Sequence, residues 1–393
     1  MTTERVAGPV HPLDGSDAPG GLPPLSGLPL VTRAVIETSA FADVALRTAA
    51  ASLVSGAVLS FGLGGLAPGR IATERASLEL YRELAEGGDA QRTFPRPAAG
   101  VDVRSSPAGP VTWRPREGRV EALSFRSAFT TMDPAQDESY ARSKPNRTAW
   151  AQYWHHDDGP RPTLCVIHGF MGSPYWLNSA FFSLPWFYTR GYDVLLYTLP
   201  FHGQRQGRLA PYSGYGYFAH GPAHVSEAMA QAVHDFRVFV DFLEARGVAK
   251  IGVTGLSLGG YTSALLAAVD DRLLFSVPNA PAVDMPKLID SWVPARQVVD
   301  GLMRLYHLPR EDFDASLAVH CPLTYAPVIP KERRMIIAGL GDRLAPPEQS
   351  EELWEHWDHC ILHWFPGNHV LHVNRGCYLR RMARFMRSVG FDS

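Results

Sequence analysis

From about residue 119 onward, short apolar runs alternate with longer amphipathic stretches. The runs at 119–126, 149–154, 162–168, 192–199, 250–256, 273–278, 334–341 and 360–365 predict eight strands. The later runs are continuously apolar, as suits strands covered on both faces. Between them, Val225, Met229, Val233, Phe236, Val240 and Leu243 recur at three-to-four spacing and predict a helix over 222–246 that packs on the sheet. Residues 259–270 and 376–388 read the same way. Strand–helix alternation predicts an α/β fold with a mostly parallel sheet and helices on both faces.

Upstream the pattern changes. Residues 1–30 are rich in Pro and Gly, without period, and predict a disordered tail. Residues 31–118 predict an N-terminal helical extension and a linker. Leu78, Leu80, Tyr81 and Leu84 lie near helical spacing, Gly87-Gly88 ends that helix, and residues 91–118 are again Pro/Gly-rich. Residues 119–393 form the main domain. The segment 48–69 carries no charge and is long enough to cross a bilayer. Its Ala, Ser and Gly content and its Gly-Gly-Leu-Ala-Pro-Gly ending favour a buried or peripheral helix over membrane association.

Composition narrows the function. A 393-residue chain with 46% hydrophobic and 19% charged residues builds a core without disulfide or metal staples. Lys plus Arg number 37 against 39 Asp plus Glu, with no basic stripe, which argues against a nucleic-acid binder. Cys165, Cys321, Cys360 and Cys377 form no C-x-x-C pair and read as reduced thiols. The first residues lack a charged start followed by an apolar run, so the expectation is a cytoplasmic protein. His155-His156-Asp157-Asp158 are adjacent in a short loop, and adjacent residues rarely converge on one ion. No metal and no cofactor is expected.

The chemistry concentrates in Gly255-Leu256-Ser257-Leu258-Gly259-Gly260. This is G-x-S-x-G between a predicted strand and a predicted helix. A serine on so tight a bend leaves no room for side chains two residues to either side. It stands clear of the sheet, and the Leu258 amide at the helix start points toward a developing oxyanion. Serine needs a base. His369, in Phe365-Pro366-Gly367-Asn368-His369 after the last strand, is favoured over His363 and His372. The imidazole needs an acid. Asp342, in Gly339-Leu340-Gly341-Asp342, is favoured over Asp284, because it follows a strand end more directly. His168-Gly169-Phe170-Met171-Gly172-Ser173, at the end of the run 162–168, supplies a second oxyanion donor, the Phe170 amide in preference to that of Met171, with His168 holding the loop.

The order HGFMGS, GLSLGG, GLGD, GNH resembles the alpha/beta-hydrolase superfamily over roughly residues 119 to 390. That resemblance implies an eight-stranded, mostly parallel sheet, a serine nucleophile and hydrolysis through an acyl-enzyme. Leu199–Arg205 occupies the place of an Arg-Gly-His-Gly-like loop in many of those proteins, with the arginine displaced. Residues 283–330 sit where such proteins often place a lid, and put Trp292, Val299, Leu302, Met303 and Tyr306 on one helical face. Two aromatic groups, Tyr212, Tyr215, Tyr217, Phe218 and Phe181, Phe182, Trp186, Phe187, are candidates for lining an apolar site, with core packing as the competing role. The expected substrate is a small-molecule carboxylic ester with an apolar acyl group. The alternatives are an acyltransferase or thioesterase with the same triad, or a non-catalytic binding protein on the same fold. A serine at 257 argues against chemistry built on a carboxylate nucleophile.

Overall fold

The computed structural model describes residues 21–64, 68–109, 113, 115–172 and 174–392. Nine strands form one sheet: β1 (Arg104–Pro107), β2 (Arg119–Arg126), β3 (Thr148–His155), β4 (Thr163–Ile167), β5 (Asp193–Thr198), β6 (Ile251–Leu256), β7 (Leu273–Asn279), β8 (Met335–Gly339) and β9 (Ile361–Phe365). Their order is β1-β2-β3-β5-β4-β6-β7-β8-β9. The pairs β1–β2, β2–β3 and β3–β5 are antiparallel and all others parallel. The eight predicted runs are β2 to β9. The expected count of eight is corrected by β1, an exposed Arg-Ser-Ser-Pro edge with no apolar alternation, defined by backbone pairing alone. The strand order reverses around β4, which has β5 on one side and β6 on the other. Such a reversal opens a crevice at the carboxyl ends of the strands.

The longer helices and those of the 283–330 insertion are α1 (Leu30–Gly64), α2 (Pro68–Glu86), α3 (Pro222–Ala245), α4 (Leu258–Val269), α5 (Met285–Ser291), α6 (Ala295–Leu305), α7 (Arg310–Leu317), α8 (Pro347–His356) and α9 (Arg375–Ser388). One face of the sheet places Cys165, Ile167, Leu195 and Val253 in a cluster with Met229 and Phe236 of α3. The opposite face places Leu164, Val166, Leu196 and Phe275 in a cluster with Leu379, Met382 and Met386 of α9. The alternation of these residues along β4 and β5 is the period-two signature of strands buried on both sides.

A third apolar cluster lies in the helical layer over the crevice. Leu78 and Tyr81 of α2 join Val299, Leu302 and Met303 of α6 and Phe313 of α7. The N-terminal extension and the 283–330 insertion, distant in sequence, thus build one cap. By length and composition Leu30–Ser60 within α1 is long and apolar enough to cross a membrane. Its inner stripe, including Ile36, Ala40, Asp43, Ala50 and Ala51, is buried, whereas Leu30, Val31 and Phe41 are exposed.

Two expectations upstream need revision. Residues 21–30 are anchored: Trp364 Nε1 donates to the Gly21 carbonyl (3.1 Å), the Leu22 amide donates to Glu351 (2.9 Å), and Leu28 is buried. A few apolar anchors among Pro and Gly leave no period to read. The rest of the expected tail, residues 1–20, lies outside the described residues. The stretch read as a linker is fixed at Phe94, which meets Tyr325 edge-on and accepts a hydrogen bond from Arg237 at its carbonyl (2.7 Å). Its residues 110–112 and 114 lie outside the described set, as do 65–67 of the uncharged segment.

The loop after β5 is pinned from beneath. Arg205 and Asp235, both fully buried, pair at 2.6 Å, and Arg205 also donates to the Asn146 and Thr198 carbonyls. Removing one member of a buried pair strands the other charge. Asp235→Ala is expected to cost about 3–5 kcal/mol of stability, read from the urea midpoint. A loss below about 1 kcal/mol would show that the charge is compensated some other way.

Candidate active site

β6 ends at Leu256 and α4 begins at Leu258. Ser257 between them has φ 56° and ψ −115°, a conformation unfavourable for a residue with a Cβ. Its amide donates to the Asn279 carbonyl of β7 (3.0 Å), and its carbonyl accepts from the Tyr261 amide (2.7 Å). The flanking glycines are steric necessities. A Cβ on Gly255 would overlap the Gly259 backbone, and one on Gly259 would overlap the carbonyls of Ile167 and His168. The bend therefore presses directly on the end of β4.

The chain leaves β8 through Leu340-Gly341 and reaches Asp342, which is buried. Its Oδ1 accepts from the amides of Leu344 (2.9 Å) and Ala345 (2.8 Å), and its Oδ2 accepts from His369 Nδ1 (2.7 Å). His369 follows β9 on a turn built by Asn368, whose Oδ1 accepts from the amides of Val370 and Leu371. Burial disfavours an imidazolium here. The Asp342 carboxylate and its hydrogen bond, with a further contribution from Asp43, outweigh burial and hold the His369 pKa above the ordinary histidine value.

The competing residues are engaged elsewhere. Asp284 caps α5 through the Lys287 amide (3.0 Å). His363 faces Arg381 (3.3 Å), and burial followed by the Arg381 charge pulls its pKa to about 4. His372 sits between the Tyr378 hydroxyl (2.9 Å) and the His369 carbonyl (3.2 Å), with burial pulling its pKa to about 3. The structure therefore brings Asp342 and His369 together and leaves Asp284 and His363 apart from them. Among the described residues the Ser257 hydroxyl makes no hydrogen bond, so the serine is not joined to the dyad in this state.

The loop after β4 runs beside the serine. His168 donates from Nδ1 to the Gly169 carbonyl (2.8 Å) and accepts the Leu199 amide at Nε2 (3.1 Å). Burial lowers its pKa to about 4, so the ring is a neutral brace. A Cβ on Gly169 would lie 3.4 Å from Ser257 Cβ, which places this backbone against the serine. Among the described residues neither the Phe170 nor the Leu258 amide donates to another protein group. Ser173, the last residue of that motif, lies outside the described set.

Ser257 opens on a cavity of about 150 Å³. Phe170, Phe218, Trp292, Val299 and Met303 line it, as do Val54 and Val58 of α1. Of the two aromatic groups only Phe218 reaches it. Tyr217 and Phe187 are buried in the core, while the Tyr212 and Tyr215 hydroxyls fasten α1 at the Leu53 carbonyl (2.9 Å) and Ser60 hydroxyl (2.8 Å). From the sequence, capping the active site was one of three open roles for the N-terminal helices, beside dimerisation and membrane contact; the residues of α1 that reach the site were not identified. One signal was available: Asp43 lies on the same helical stripe as Ile36, Ala40 and Ala50, an acid on the face that helical spacing assigns to the interior.

No protein-family model matches the chain. A Mycobacterium tuberculosis protein, Uncharacterized protein Rv2627c, is 28% identical over 312 residues, 75% of this chain and 69% of that one. Two solved structures share the architecture at low sequence identity. Acetyl xylan esterase 1 from Thermoanaerobacterium sp. superposes with a TM-score of 0.56 at 15% identity, covering 79% of this chain and 93% of that one. An acetyl xylan esterase from Paenibacillus sp. gives 0.53 at 16% identity, covering 80% and 94%. With its sheet order, its strand–serine–helix bend and these neighbours, the chain has the alpha/beta-hydrolase fold.

Proposed function

We propose that the protein is a serine hydrolase that cleaves carboxylic esters with an apolar acyl group through an acyl-enzyme. The observation that carries this reading is Ser257, held at φ 56° against an apolar cavity, with a hydrogen-bonded Asp342–His369 pair on the neighbouring strand ends. Ser257 attacks the acyl carbon as His369 takes its proton. Asp342 holds Nδ1–H and so directs Nε2 to the reaction. The raised basicity of His369 suits a proton acceptor. The Leu258 and Phe170 amides stabilise the oxyanion. His369 then protonates the leaving alcohol, and a water activated by the same ring releases the acid and restores the serine.

The two structural neighbours named above are esterases, which supports ester chemistry on this fold. Both are named for acetyl esters, and the cavity argues for a larger acyl group here. An apolar cavity of about 150 Å³ holds a benzene-sized group, so an acyl chain of about six carbons fills it. Each methylene it buries adds about 0.8 kcal/mol.

A fluorophosphonate probe is expected to label the wild type and not Ser257→Ala; equal labelling of both removes Ser257 as nucleophile. With p-nitrophenyl esters, kcat/KM is expected to climb from acetyl to about hexanoyl and then level off. A steady preference for acetyl contradicts the apolar-acyl assignment. Asp342→Asn is expected to lower turnover on the order of 10⁴-fold, with Asp284→Asn close to wild type. The reverse result assigns the acid to Asp284.

A further inference from the structure

We propose that Asp43 of the N-terminal helix is a positioning residue of the catalytic dyad, a second buried carboxylate that fixes the Asp342 and His369 loops and favours the imidazolium. The proposal rests on the assignment of Ser257, Asp342 and His369 given above. Asp43 is fully buried, on the stripe of α1 that faces the strand ends. Its Oδ2 accepts from three amides: Arg343 (2.6 Å), Leu344 (3.3 Å) and His369 (3.4 Å). The first two follow Asp342 directly and the third belongs to the proposed base. The Leu344 amide is shared between Asp43 and Asp342 Oδ1. One turn earlier on α1, the Ser39 carbonyl accepts from Asn368 Nδ2 (2.8 Å), and Gly341 packs so closely that a Cβ would meet Ser39 Oγ. The helix thus grips the residue before each dyad member and the residues after Asp342.

A structural clamp would be complete with the Oδ2 contacts. Among the described residues the other oxygen, Asp43 Oδ1, is buried with no hydrogen-bond partner. A buried, half-satisfied carboxylate is costly unless a positive charge develops nearby. The groups facing His369 are Asp342 from the loop after β8, Asp43 from α1 and His372 from its own loop. Those around Asp43 are Asp342, His369 and Arg343, with Arg47 on α1 donating to the Arg343 carbonyl. Burial and then the Asp342 charge raise the Asp43 pKa, while the amides and His369 oppose the rise. The charge that relieves both carboxylates is the imidazolium formed when His369 accepts the serine proton. Asp43 therefore acts through His369 and touches no reacting atom.

The test separates charge from clamp. Asp43→Asn keeps the size and an oxygen for the amides and removes the negative charge. The rate of Ser257 acylation by a fluorophosphonate probe is measured against pH in wild type, Asp43→Asn, Asp43→Ser and Ser257→Ala. A base must be neutral to act, so the rate falls on acidification through the His369 pKa. Loss of a charge that raises this pKa moves the acid-side midpoint to lower pH, by about one pH unit for a close buried partner, with a plateau rate about tenfold lower. Asp43→Ser, smaller and also neutral, gives the same comparison should the asparagine variant fold poorly. A wild-type midpoint in folded Asp43→Asn or Asp43→Ser, whatever the plateau, overturns the proposal and leaves Asp43 a clamp. Labelling that survives in Ser257→Ala overturns the triad assignment instead, and the two failures are distinct.

Discussion

The crossing of the β6–α4 bend over the end of β4 sets the geometry of everything around it. Backbone meets backbone there, and Gly255 and Gly259 are the residues that permit it. Ser257, trapped between them, takes a left-handed φ that costs of order 1–3 kcal/mol. The compensation lies immediately downstream, where every residue of α4 is buried. A helix sealed into the centre of the molecule cannot relax to relieve the bend. The serine is therefore held at the mouth of the crevice by the same packing that stabilises the sheet.

Most of the central architecture was legible in the sequence because its signals are local. The strands β2 to β9 are apolar runs between turn residues. Ser257, Asp342 and His369 each follow a strand end, and the structure places the latter two in hydrogen bond. What stayed hidden was non-local or carried by the backbone. The strand β1 is an exposed edge recognisable only through its pairing with β2. Gly21 and Leu22 are ordered by partners more than 300 residues away. Tyr212 and Tyr215 read as core rings or, as the competing role, pocket aromatics, yet their hydroxyls serve to tether α1, a role that depends on which helix lies above them.

The cap shows why the first hundred residues resisted interpretation. Neither α1 and α2 nor the 283–330 insertion has a core of its own. Each supplies a face that is apolar without being self-sufficient, and the two close against one another above Ser257. Val54 and Val58 line one small cavity together with Val299 and Met303. The shape of that cavity is therefore shared between two distant stretches of polypeptide, and neither stretch determines it alone.

The hydrogen bond from His369 to Asp43 spans 326 positions in the chain. During synthesis α1 leaves the ribosome 300 or more residues before its receiving loops after β8 and β9. Until then an amphipathic helix bearing one acid on its greasy side waits without a seat. Contacts of such sequence separation form late and slowly. The chemical centre thus matures only once the later-made loops fold back onto the earlier-made helix.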